Sequence, residues 1–198
     1  MISPRLVRCL AWTGSALPGL LILGRWQVGL LGVVPTEALL HQTGRLALFF
    51  LMASLAVGFL HFLSGWNPIV AARRPLGVWC FLYALAHLLI WLILDQGHPA
   101  FAWAEARMMR HVQLGLAAFL LLAPLALSSS DRALRWLTHP VWRRLHLLVW
   151  PAAALALGHA WAVSRFENPR VMVMAALLVM LAMSRIGWTL AHRLRNTR

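Results

Sequence analysis

Three histidines stand in stretches that are otherwise built for lipid. His87 lies within WCFLYALAHLLIW, His159 within LLVWPAAALALGHAWAV, and His146 immediately precedes that second run. A neutral imidazole ligates iron well, and a bundle of apolar helices can bury a porphyrin. An ionisable side chain at such depth is costly, so it has to face the interior of a bundle and find a partner there. Two chemistries meet that demand. One is axial ligation of haem iron. The other is an interhelical hydrogen bond, for instance to a backbone carbonyl.

Spacing sharpens the first. His87 follows Arg74 by 13 residues, and His159 follows His146 by 13. At 1.5 Å per residue, each pair is separated along its helix by about 20 Å. If the two helices run in the same direction, His87 is level with His159 and Arg74 with His146. A bis-histidine haem between His87 and His159 is then sterically natural. At the second level an arginine stands where another ligand could have been. On a straight helix 13 residues turn the chain by about 220°, so His146 and His159 do not share a face. Pro151 lies between them and can alter that phase.

The remaining histidines read as polar residues at or beyond the ends of apolar runs: His98 in a connection, His192 in the C-terminal tail, and His41, His111 and His139 near span ends. His61, near one end of the second run, has no evident partner in the sequence.

The elements that position these groups follow from composition. Of 198 residues, 61% are hydrophobic and 12% charged, and the mean hydropathy is +0.73. That balance is an integral membrane protein's. Crossing a hydrocarbon core takes about 20 apolar residues. Six runs qualify, roughly 6–24, 46–63, 76–94, 112–127, 145–163 and 171–190. The expected fold is an all-α, polytopic bundle of six transmembrane helices forming a single domain, 1–198. Pro18, Pro124 and Pro151 fall inside runs, where neighbouring helices or water must satisfy the freed carbonyls.

All 18 basic residues are arginine, against 5 acids, and the formal net charge is +13. The arginines sit between apolar runs rather than in one patch, which argues topology and not nucleic acid. Twelve fall on one side: Arg5, Arg8, Arg73, Arg74, Arg132, Arg135, Arg143, Arg144, Arg185, Arg193, Arg195 and Arg198. Six fall on the other: Arg25, Arg45, Arg107, Arg110, Arg165 and Arg170. The positive-inside rule then puts both termini in the cytoplasm. Four acids, Glu37, Asp95, Glu105 and Glu167, lie on the outer side, and Asp131 on the inner.

Cys9 and Cys80 are isolated, with no C-x-x-C and no C-x-x-C-H, so neither a zinc site nor covalent haem attachment is indicated. A haem here is expected to be non-covalent, b-type. The basic, apolar N-terminus resembles a signal peptide without a clear cleavage site, and reads as a retained first span. No glycine-rich dinucleotide fingerprint occurs.

Taken together, HQTGRLAL at 41–48, RRPLGVWCFLYALAH at 73–87, WRRLHLLVW at 142–150 and GHAWAV at 158–163 resemble the MsrQ (YedZ) family. That family supplies the haem-binding membrane subunits of periplasmic methionine sulfoxide reductase systems, within the ferric-reductase-like transmembrane superfamily. The resemblance covers most of spans two to five in order. It implies that His87, His146 and His159 are the haem-associated histidines, and that Arg74 takes the place of a fourth. It also implies electrons drawn from the quinone pool, delivery to an MsrP-like periplasmic molybdopterin reductase, an association with FMN, and a bacterial inner-membrane location. The chain departs from the family at Arg110-His111-Val112, where Arg-Pro-Tyr is usual, and at Trp150, where a tyrosine is common.

The expected role is thus electron transfer, with the sulfoxide chemistry in the partner and no catalytic residue in the bond-making sense. One tightly held haem is expected, on His87 and His159. The level of His146 and Arg74 is expected to be empty, weakly occupied, or used by an anionic cofactor or quinone headgroup. The alternative is a ferric-reductase-type cytochrome fed by a separate cytosolic flavoprotein. A non-redox transporter fits less well, because no acid lies well inside a span.

Overall fold

The computed structural model describes residues 2–164 and 168–196, with the side chains of 134 and 188–196 outside the description. Arg165, Glu167, Arg198 and the side chains of His192, Arg193 and Arg195 therefore lie outside the described residues.

Helices follow one another along the chain: α1 (Pro4–Gln27), α2 (Pro35–Ser64), α3 (Arg73–Leu89), α4 (Pro99–Met108), α5 (Arg110–Leu127), α6 (Asp131–Trp136), α7 (His139–Leu145), α8 (Val149–Val163) and α9 (Pro169–Asn196). Their starts are written locally. Ser3 caps α1 by accepting the Leu6 N–H at 3.2 Å, ahead of Pro4. Pro35 opens α2, which Gly65 ends in the left-handed region at φ 63°.

Among the described residues, six stretches are long and apolar enough to cross a membrane: Pro4–Gln27, Pro35–Ser64, Asn67–Asp95, Arg110–Leu127, His139–Val163 and Pro169–Gly187. The protein is a multi-pass, all-α membrane bundle. Its largest core cluster joins Phe50, Leu51, Met52 and Leu55 of α2 to Cys80 and Tyr83 of α3, Leu122 and Leu125 of α5, Ala152 and Ala153 of α8, and Leu181 of α9. Ala152 and Ala153 have no exposed surface. Two small side chains in succession let α8 approach its neighbours closely. Large apolar side chains such as Leu20, Leu120 and Val173 point outward from the bundle. Such an apolar outer surface suits hydrocarbon.

Several boundaries differ from the hydropathy runs, for physical reasons. Helix α2 begins at Pro35, well before residue 46, because hydropathy marks the lipid slab and not the end of hydrogen bonding. His41 and Glu37, one turn apart at 3.5 Å, extend it beyond that slab. The connection after residue 95 holds a helix of its own, α4, capped by His98, whose Nδ1 accepts the Ala100 N–H at 3.2 Å. The fifth span is α7, a 3-10 turn over His146–Leu148, and α8. Pro151 falls in the first turn of α8, where a missing N–H costs nothing. The change of phase comes from the 3-10 turn. Three residues wound that way advance the chain by about 20° more apiece, bringing the 220° separation of His146 and His159 to roughly 280°.

Candidate functional site

His87 and His159 come together. They project from α3 and α8, with ring centroids 6.0 Å apart and ring planes at 78°. Each is tied by Nδ1 to the backbone of a third and a fourth helix. His87 Nδ1 donates to the Leu40 carbonyl of α2 at 3.0 Å. His159 Nδ1 donates to the His111 carbonyl of α5 at 2.7 Å. A carbonyl oxygen can only accept, so Nδ1 carries the proton in both rings, and in the neutral imidazole Nε2 then keeps its lone pair. The hydrogen-bond reading and the ligand reading are therefore compatible. The first occupies Nδ1 and orients the ring, and the second requires Nε2.

The separation fits a shared metal. Two metal–nitrogen bonds of about 2 Å each, plus about 1 Å from each nitrogen to its ring centre, put the centroids roughly 6 Å apart. Among the described residues no group of three or more His, Cys, Asp or Glu could hold a metal ion. Two imidazoles alone suit a metal that brings its equatorial ligands with it, as haem iron does. Leu48 and Leu157 are buried nearby in the same part of the bundle, beside Ala156 and Ala160.

Sequence reasoning did not find the supports of this pair. Gly44 of α2 and Gly115 of α5 face the two rings. A Cβ on Gly44 would stand 3.1 Å from His87 Nδ1 and Cε1, and one on Gly115 would stand 2.9 Å from His159 Nδ1. The fragments HQTG and HVQLG that hold these glycines offered only a small residue in a helix. His111 also matters in a way its type did not suggest, through its carbonyl. Its ring lies 6.3 Å from that of His159.

The second level is a cavity of about 810 Å³, into which Arg73, Arg74, Arg143, Arg144, Arg185 and His146 all project, with Trp142 and Trp150 beside them. His146 is held within its own turn. Its Nδ1 donates to the Trp142 carbonyl at 3.1 Å, and its ring lies 4.0 Å from the Trp142 ring. Arg74 shares the cavity with His146, as the depth argument expects, but its guanidinium pairs with Asp131 at the start of α6. That pairing holds the Asp131 carboxyl below the usual carboxylate range. Among the described residues no carboxylate pairs with Arg73, Arg143, Arg144 or Arg185. Their uncompensated charge gives the cavity a strongly positive wall suited to an anion. A smaller cavity of about 450 Å³ shares Arg73, Trp150 and Arg185 with it and reaches His61.

Aromatic side chains fill the space along α3 between the two levels. Trp79 lies 5.6 Å from Tyr83, which stacks on Phe50 at 5.4 Å. Tyr83 accepts the Gly19 N–H at 2.9 Å and donates to the Ser15 carbonyl at 2.7 Å, fixing α3 against α1.

Residues 43–157 match the family described as the ferric reductase like transmembrane component. Curated relatives carry the name protein-methionine-sulfoxide reductase heme-binding subunit MsrQ, among them those of three bacteria. The one from Azospira oryzae is 38% identical over 87% of this chain and 72% of its own length. That from Rhodospirillum rubrum is 34% identical over 92% and 88%. That from Ralstonia nicotianae is 32% identical over 94% and 87%.

Proposed function

The chain belongs to the MsrQ family, within the ferric-reductase-like transmembrane proteins, and we propose that it is a haem b electron-transfer subunit serving a periplasmic, MsrP-like methionine sulfoxide reductase. The observation that carries this reading is the pair of imidazoles 6.0 Å apart on different helices, each anchored through Nδ1. Bound there, haem supplies a one-electron carrier within the low-dielectric bundle.

The chain's own residues do the rest. His87 and His159 would hold the iron of a bound haem through their Nε2 atoms, and the haem would supply one-electron transfer rather than a binding position for oxygen or sulfoxide. Reduction of the sulfoxide then belongs to the partner. The Leu40 and His111 carbonyls raise the basicity of the two imidazoles and fix their tautomers. Tyr83, Phe50 and Trp79 close the bundle between the levels and keep water out. The arginine wall beside His146 receives an anionic cofactor or a quinone headgroup, which makes it the entry side for electrons. FMN, by family resemblance, is one anion of the right kind. Arg74, already paired with Asp131, contributes to the shape of that wall.

Orientation follows from the arginine distribution. The protein lies in the bacterial inner membrane with both termini cytoplasmic, the His146 level inward and the His87–His159 pair toward the periplasm. A reporter fused after Arg198 is expected to be cytoplasmic and one inserted at Gly97 periplasmic. The opposite result would exchange the entry and exit sides.

The function is tested by mixing reduced protein with oxidised MsrP-like partner and methionine sulfoxide. The haem spectrum should return to the oxidised form at a rate that rises with partner concentration. Haem that stays reduced would overturn the assignment of partner. The ferric-reductase alternative has its own support, in the family matched by residues 43–157. It predicts that ferric chelates oxidise the haem as readily as the sulfoxide partner does.

A further inference from the structure

The supports of His87 and His159 follow one construction. Leu40 gives the carbonyl and Gly44 the space for His87, and His111 gives the carbonyl and Gly115 the space for His159. In both, the glycine is four residues after the carbonyl, so it lies one turn along the same helix face and its own N–H is the helical partner of that carbonyl. A carbonyl inside a helix is normally screened by the side chain on the following turn. Removing the Cβ at that position opens a notch through which a ring from another helix reaches the oxygen.

A related arrangement joins Tyr83 to α1, with the difference that the Gly19 N–H donates to the phenol oxygen. Ser15 gives the carbonyl and Gly19 the space for Tyr83, where a Cβ would stand 3.0 Å from the phenol oxygen. At Tyr83 the notch joins two helices and nothing more. At the histidines it has a second consequence. The carbonyl selects the Nδ1–H tautomer, and the missing Cβ decides how closely and at what tilt the ring approaches. Both determine what the Nε2 atom presents to a metal.

We propose that Gly44 and Gly115 are positioning residues of the haem site, each holding its histidine's tautomer and ring angle through a notch in a neighbouring helix. The proposal rests on the reading of His87 and His159 as haem ligands. Its prediction differs from that of a merely structural glycine. A methyl group at either position pushes the ring off the carbonyl and weakens the Nδ1–H···O bond. The imidazole becomes a poorer electron donor, so the ferric state loses stabilisation and the haem potential rises. The angle between the two ring planes changes as well.

The test uses full-length protein purified with its haem, as Gly115→Ala, Gly44→Ala and, for comparison, Gly158→Ala. A Cβ at Gly158 meets only Leu114 Cδ1, at an ordinary 3.6 Å. The readouts are the low-spin ferric electron paramagnetic resonance spectrum, the haem midpoint potential and the rate of haem loss to a scavenger. Gly115→Ala should move the largest g value, raise the potential and speed haem loss by roughly tenfold or more. Gly44→Ala, with the longer approach, should do the same to a lesser degree, and it carries the test if Gly115→Ala does not assemble. Gly158→Ala should match wild type. Wild-type g values and potential in both Gly44→Ala and Gly115→Ala would overturn the proposal. So would equal shifts in all three variants. If His87→Ala and His159→Ala lose haem while the glycine variants stay unchanged, only the glycine assignment fails. If the two histidine variants keep their haem, the ligand reading fails with it.

Discussion

Replacing His87 or His159 with alanine is expected to strip most of the haem from the purified protein while leaving the bundle folded. On the proposed reading, each substitution would remove one of the two protein ligands of the iron. Its effect on affinity should therefore exceed the roughly 10–100-fold that changes in the outer shell of a metal site cost. The structural penalty is smaller. His87→Ala leaves the Leu40 carbonyl with its helical partner and loses one interhelical hydrogen bond, worth about 1 kcal/mol. His111→Ala separates the two effects. Its carbonyl, which holds His159, survives the substitution, so haem content should stay near wild type even though the His111 ring is only 6.3 Å away. Haem-to-chain ratio and circular dichroism, measured on the same preparations, check all three. Wild-type haem content in both His87→Ala and His159→Ala would remove the basis of the site.

A different outcome is expected for His146→Ala. The donor's rate of reducing the protein should fall about tenfold or more while haem content changes little. His146 is held by its own turn and packed on Trp142, in a cavity of about 810 Å³ whose wall carries four arginines without a carboxylate among the described residues. A planar guest that carries an anionic group is matched by that combination, the guanidinium forks taking the anion and the indole faces the ring system. Losing the imidazole removes a contact to such a guest without touching His87 or His159. Rapid mixing with a reduced quinol or flavin donor gives the rate, and haem extraction gives the ratio. Two tightly bound haems per chain, with one lost in His146→Ala, would instead make His146 a full ligand.

Much of the architecture was legible from hydropathy, because lipid imposes a simple rule on length and polarity. The levels of the histidines were also readable, since rise per residue is fixed once two helices are known to run the same way. Helix ends were less so: α2 runs on past the apolar stretch toward Pro35, and α4 has too little apolar length to register. The 3-10 turn at His146–Leu148 could not be anticipated from Pro151, which turned out to sit harmlessly in the first turn of α8. Tertiary partners were the least visible. Neither the Arg74–Asp131 pair, 57 residues apart, nor the carbonyls of Leu40 and His111 leave a mark in the sequence. Gly44 and Gly115 read in the sequence only as small residues within helical stretches, and acquire meaning when the opposing rings are known.

We expect one haem to be bound through both His87 and His159. Exposure of the dithionite-reduced wild-type protein to carbon monoxide tests it most directly, because carbon monoxide takes a coordination position only where one is open. The reduced spectrum should remain that of a six-coordinate, low-spin haem with the gas present. Conversion of the whole spectrum to a carbon monoxide complex would show an open position on the iron and contradict the two-histidine site.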